Sequence, residues 1–281
     1  MLIALDIEPI EMKEKIVKII CRRLEDDKDK LRKEFLSSNI NIKTRFLAID
    51  ELLPKHLAMD IYNNFPKKEQ MKLFSNFREE KYNFWQLGMT PSILEDITFA
   101  IQSPKVISLI EQITGIANQR PDPSLYAGGL SLMVKNNFLN PHIDNSHDGD
   151  RKYYRTLNLL YYVTPDWKSE YGGNLELWDN KVQNAQIIPS LFNRLVIMET
   201  NENAWHSVNP VVFDGNRCCV SNYYFSEQSP RNEEYFHVTS FSARPNQKIR
   251  RIFSKVDSIA RNVVRIIFRK GIGMKDIYIP K

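Results

Sequence analysis

The sequence predicts an α+β protein: a jelly roll of short strands, with helices before it and one helix after it. Three observations carry this. Between Leu130 and Phe225, short apolar runs alternate with turn signals, the pattern of a sandwich or barrel built from many short strands. Ahead of residue 118 the apolar residues recur instead at helical spacing. From Gln247 to Lys270 one apolar face is surrounded by arginine and lysine, as in an amphipathic helix. Helices grouped ahead of the strands are expected to cover one face of the sheet.

In chain order, residues 9–37 read as one charged helix with a stripe of Met12, Ile16, Ile19 and Ile20, and Cys21 beside it as core filler. Thr44 to Asp50 reads as a short strand, followed by a helix from Lys55 to Phe65 that carries His56 at its surface. Thr90-Pro91 and Ser103-Pro104 are two helix starts, with the hydroxyl residue at N-cap and proline in the first helical position; Gly115 closes the second helix. Residues 118–129 read as a loop. The strand runs are Leu130–Val134, Thr156–Val163, Asn174–Trp178, Gln186–Ile188, Arg194–Met198 and Cys218–Phe225. Asp148-Gly149-Asp150, Gly172-Gly173 and Asp214-Gly215-Asn216 punctuate them. The expected partition is a helical segment over 1–43, a jelly-roll body with its support helices over 44–240, and a basic tail over 241–281.

Composition narrows the function. Apolar residues make up 42% and charged residues 26% of the 281, ordinary globular usage. The net charge of +5 is unevenly spread. Residues 248–270 hold eight lysines and arginines against Asp257, a local +7, so +5 less 7 leaves −2 for the rest. A neutral-to-acidic body disfavours nucleic acid, which asks for a basic groove. Three cysteines, two of them adjacent (Cys218 and Cys219), imply no disulfide framework and point to a reducing compartment. The amino terminus lacks the basic start and apolar core of a signal peptide, and no apolar run approaches the roughly 20 residues of a membrane span. The expected location is cytoplasmic, with peripheral contact at the inner face of a membrane through 248–270 as one use of the tail. Packing on the body and seating a homodimer are the others.

The chemistry concentrates in residues 140–217. His142 and Asp144 are two apart, so an extended segment aims both to one side. His206 follows in Ala204-Trp-His-Ser-Val208, and Arg217 opens the last strand eleven residues later. Two imidazoles and one carboxylate form the facial triad that leaves open positions on a non-haem Fe(II). An arginine beside it can clamp the carboxylate of a second ligand, and Arg217 should share a face with the small Cys219 and Ser221. Other polar residues read as structural: Arg194 opening a very apolar strand, Trp205 as a packing wall, His147 in a polar surface turn, and His237 in a strand near the site.

Five blocks then occur in a familiar order: Pro141-His-Ile-Asp144, Arg155-Thr-Leu-Asn-Leu-Leu-Tyr-Tyr162, Gly172-Gly-Asn-Leu-Glu-Leu177, Arg194-Leu-Val-Ile197, and Trp205-His-Ser-Val208 with Arg217. This pattern, over roughly residues 44–228, resembles the Fe(II)/2-oxoglutarate-dependent dioxygenases, in their prolyl-hydroxylase-like branch. The resemblance implies a double-stranded β-helix core in which His142, Asp144 and His206 hold Fe(II). It implies 2-oxoglutarate as co-substrate, with Arg217 pairing its distal carboxylate and one of Tyr126, Thr156 or Tyr162 assisting. Such an enzyme uses O2 to hydroxylate an unactivated C–H bond, releasing succinate and CO2. Asp144 in place of a small residue leaves no site for a halide, which disfavours a halogenase. Two substrates fit the branch: a prolyl residue in a protein, or a sugar of a membrane-surface glycolipid. The contrary reading is a non-catalytic jelly-roll binding or scaffold protein that keeps the metal residues.

Overall fold

The computed structural model describes residues 11–37, 41–126, 128–230 and 233–249, with Arg251, Phe253, Ala260 and Tyr278 beyond them. The chain opens with α1 (Met12–Asp26) and α2 (Lys28–Leu36), then β1 (Phe46–Ile49) and α3 (Lys55–Asn63). A hairpin of β2 (Lys72–Ser75) and β3 (Glu79–Phe84) precedes α4 (Ser92–Ile101) and α5 (Pro104–Thr114). The remaining strands are β4 (Gln119–Arg120), β5 (Gly129–Met133), β6 (Phe138–Ile143), β7 (Tyr154–Tyr162) and β8 (Leu175–Trp178). After them come β9 (Ala185–Ile188), β10 (Arg194–Glu199), β11 (His206–Val208), β12 (Arg217–Ser226) and β13 (Ser240–Phe241).

All described strands belong to one antiparallel sheet with the path β1-β10-β7-β12-β5-β3-β6-β11-β8-β9. The strand period of two splits its side chains into two cores. On one face Leu157, Leu159, Tyr161, Leu195, Ile197, Cys218, Val220 and Tyr224 pack against the buried stripes of the helices. On the other, Tyr162, Val196, Met198 and Cys219 meet Leu175, Leu177 and Ile188 from the far end of the path. The sheet therefore folds over onto itself, which makes it the expected jelly roll. Both Cys218 and Cys219 are buried, and burial pushes their thiols up to about 12 and about 11, the inert state expected of core cysteines.

The structure departs from the sequence reading in several places, among them β4, which lies in the expected loop 118–129. The first helix is two: Asp27 leaves helical geometry at φ −109°, ψ 11°, and its carboxylate pairs with Arg23 one turn back. Aspartate is a weak helix former, and the break lets Leu31 and Phe35 turn onto the core while Ile16, Val17, Ile20 and Leu24 form the buried stripe of α1. Thr90 does not cap α4; its hydroxyl donates to the Leu87 carbonyl, and Pro91 occupies the cap position. Ser103 does cap α5, accepting from the Val106 amide, and Gly115 ends it at φ 72°. The β2–β3 hairpin lies where no strand was expected. Finally, His147 is buried, its backbone bridged to Tyr154. Of the expected tail helix, 250, 252, 254–259 and 261–270 lie outside the described residues; Ile249 and Phe253 from its apolar stripe are 72% and 65% exposed.

Candidate metal and co-substrate site

Two neighbouring strands set the site. His142 on β6 and His206 on β11 are direct cross-strand partners, so their side chains leave the sheet on one face. Their ring centroids are 4.1 Å apart. Asp144, just past the end of β6, brings a carboxylate oxygen within 3.7 Å of each imidazole Nε2. One ligand atom from each of the three lies within 4.8 Å of the other two, and all three residues are buried.

Hydrogen bonding fixes which nitrogen faces inward. His142 Nδ1 lies 3.0 Å from the Asn140 carbonyl and His206 Nδ1 2.9 Å from the Ala204 carbonyl. A carbonyl only accepts, so each Nδ1 carries the proton and each Nε2 keeps its lone pair for a cation. Burial, and the neighbouring His206, hold His142 far below the ordinary imidazole range, at about 3. Burial pushes Asp144 upward, but Arg155, His206 and His142 together outweigh it and bring the carboxyl down to about 2. Two imidazoles and one carboxylate thus converge, with Asp144 Oδ2 buried and without a hydrogen-bond partner. That donor set fits a divalent iron-type cation.

Arg155 was quoted in the sequence pattern without a role. Its guanidinium lies 3.3 Å from Asp144 Oδ1 and 4.3 Å from the centre of the Tyr223 ring. Its place depends on a register shift in the β7–β12 ladder, between the pairs Tyr224–Leu157 and Phe225–Arg155. The extra residue is Thr156, and this bulge returns Arg155 to the inner face. Phe241 stacks on the opposite side of the His142 ring at 5.2 Å.

Arg217 opens β12 on the same inner face as Cys219, and is buried. Its Nε donates to the Gly173 carbonyl at 3.0 Å, and its guanidinium lies 4.6 Å from the Tyr162 ring centre. The Tyr162 hydroxyl is buried there without an acceptor. An arginine and an orphaned hydroxyl together fit a carboxylate. Among the three hydroxyl candidates, the structure brings Tyr162 to Arg217. Thr156 is instead engaged with the Gln119 side chain and the Tyr224 carbonyl. Tyr126 lies against Gly149 on the Arg155 side. Arg194 pairs with Asp50 through two nitrogens, at 2.5 and 2.8 Å, away from the site.

The strands that carry these residues fall within residues 128–225, the stretch that matches the family model described as the 2OG-Fe(II) oxygenase superfamily. Over that stretch the chain is similar to that superfamily. Fe(II) and 2-oxoglutarate, the metal and co-substrate that go with this family, fit the donors just described. Two curated proteins similar to part of the chain are the prolyl 3-hydroxylase OGFOD1 proteins of Mus musculus and Xenopus laevis. The mouse protein is 30% identical over 96 residues, 32% of this chain and 17% of its own length. The frog protein is 33% identical over 103 residues, 34% of this chain and 20% of its own. The matched part is thus a fifth or less of those relatives. Among solved structures, a Pseudomonas putida prolyl-4-hydroxylase superposes with a TM-score of 0.52 at 14% identity, covering 74% of this chain and 98% of that one. A prolyl 4-hydroxylase from Phytophthora capsici gives 0.51 at 11% identity, covering 89% and 77%. These two similarities establish the jelly-roll fold of the oxygenases.

Proposed function

We propose that the chain is an Fe(II)- and 2-oxoglutarate-dependent dioxygenase that hydroxylates a prolyl residue in a polypeptide. One observation carries the reading: the Nε2 atoms of His142 and His206 and the carboxylate of Asp144 converge within 4.8 Å, with both imidazoles oriented by backbone carbonyls. The local similarity to prolyl 3-hydroxylases supports a prolyl substrate.

His142, Asp144 and His206 hold the metal, and Arg155 holds Asp144. Arg217 receives the distal carboxylate of 2-oxoglutarate in a charge-assisted pair, and the Tyr162 hydroxyl donates to the same group. Iron with 2-oxoglutarate and O2 supplies the oxidising step, in which the co-substrate is decarboxylated to succinate and a C–H bond of the substrate gains one oxygen. The protein contributes position and dryness: Phe241, Tyr223 and Tyr162 enclose the polar centre with rings.

The test is incubation with Fe(II), 2-oxoglutarate and a panel of prolyl peptides, read by succinate formation and by mass gain of one oxygen. Both are expected in the parent protein and lost in His142→Ala and Asp144→Ala. Metal-loaded protein that binds 2-oxoglutarate yet forms no succinate with any peptide would favour the non-catalytic reading.

A further inference from the structure

Beside the triad opens a cleft of about 580 Å3, whose walls include His147, Tyr154, Tyr235 and Phe236 and whose acidic groups are Asp150 and Glu234. Tyr235 also lines the narrow space that contains Asp144 and Arg155, so the cleft and the triad share a wall. The rings are mutually supported: His147 to Tyr154 is 4.2 Å between centroids, and Tyr154 to Tyr235 is 5.1 Å. His147 is only 8% exposed. Its Nδ1 is taken by the Ser146 hydroxyl at 2.8 Å. Burial lowers its affinity for a proton, which disfavours a positive charge on this wall.

The chemistry of the walls selects a class of ligand. Aromatic faces attract cations, and here one ring already holds a guanidinium: Arg151 sits 3.8 Å over Phe236. Among the described residues that line the cleft, two carboxylates, Asp150 and Glu234, accompany one guanidinium, Arg151, so this lining is net negative. An anionic or purely apolar ligand would leave this charge unanswered.

We propose that this cleft takes the side chain of a lysine or arginine in the polypeptide substrate, near the residue that reacts; it rests on the hydroxylase reading above. His147 is three residues from Asp144, and an extended chain spans at most about 3.5 Å per residue. The basic residue therefore lies within about three positions of the target. The cleft acts as a specificity subsite, taking no part in the oxidation itself.

Binding to the metal-free protein tests this apart from turnover. Capped peptides Ala-Pro-Ala-X-Ala, with lysine, norleucine or glutamate at X, are titrated while side-chain NMR follows His147, assigned with a His147→Gln variant. The lysine peptide is expected to shift the His147 signals and to bind about tenfold tighter than norleucine, with the advantage shrinking as salt rises. Exposed Glu234→Gln, which leaves the core untouched, is expected to cut that advantage several-fold. Equal affinity for lysine and norleucine, or tighter binding of glutamate, overturns the proposal. So does an advantage that Glu234→Gln leaves intact. Binding of 2-oxoglutarate to the Co(II)-loaded parent is measured in parallel: its failure would overturn the hydroxylase reading while leaving the peptide result to stand.

Discussion

Arg155 and Asp144 form a buried ion pair at 3.3 Å, with Arg155 2% and Asp144 9% exposed. The pair couples the carboxylate proposed to hold the metal to β7, a strand that holds none of the three triad residues. A buried carboxylate stripped of its partner costs about 3–5 kcal/mol. Arg155→Met is therefore expected to destabilise the metal-free protein by roughly that amount in urea unfolding. Added Co(II) or Fe(II) should restore part of the loss, because the cation neutralises Asp144 in place of the guanidinium. Equal losses with and without metal would count against the assignment.

Arg217→Ala removes a charge-assisted partner worth about 1.5–3 kcal/mol. The expected outcome is a rise of about tenfold or more in the 2-oxoglutarate concentration needed for half-maximal turnover, with Fe(II) affinity unchanged. Tyr162→Phe should move the same parameter in the same direction by less. Titration of 2-oxoglutarate at saturating metal separates the two effects.

Gly173 predicts a linked outcome. Its φ is +70°, and an added Cβ would lie 3.2 Å from Arg217 Cγ. Gly173→Ala should thus lose stability through backbone strain of about 1–3 kcal/mol and also displace the Arg217 stem. Thermal melts and 2-oxoglutarate titration should change together; a fully stable variant with parent-like co-substrate binding would contradict the placement of Arg217.

Acid should weaken the metal-free protein in a defined window. His142 binds its proton at about 3 when folded against an ordinary value of 6.5, and His147 is lowered as well. Between these values the unfolded chain carries more protons than the native one, so stability rises with pH. Lowering the pH from neutrality through 6.5 toward 3 is expected to lower the urea midpoint steadily. Asp144, with its carboxyl lowered to about 2 from 3.8, adds a further loss as pH falls through that lower range. His142→Asn should flatten the upper part of the slope, which urea titrations at several pH values would show.

Much of this was legible in the chain. The His142–Asp144 spacing, the distant His206 and the strand-opening Arg217 are carried by local chemistry and by a period of two, and the structure brings the first three together. Arg155 escaped because the same period misleads at a bulge. Counting back from Tyr162 along β7 places Thr156 inward and Arg155 outward, yet the extra residue at Thr156 reverses the two. The β2–β3 hairpin escaped for a different reason. Its residues are half-buried or exposed along their length, with no alternation to read, and β3 earns its place by bridging β5 and β6. His147 lies in an Asp- and Gly-rich turn that looks wet; the approach of Tyr154, Tyr235 and Phe236 covers it.

The rung that joins β6 to β11 carries one imidazole from each strand, each tethered to a carbonyl two residues earlier. On the proposed reading, the grip on iron is consequently part of the ladder itself. A chelator should strip the metal without melting the fold, and fresh iron should re-enter the same seat, so an inactivated centre can be recharged without remaking the polypeptide.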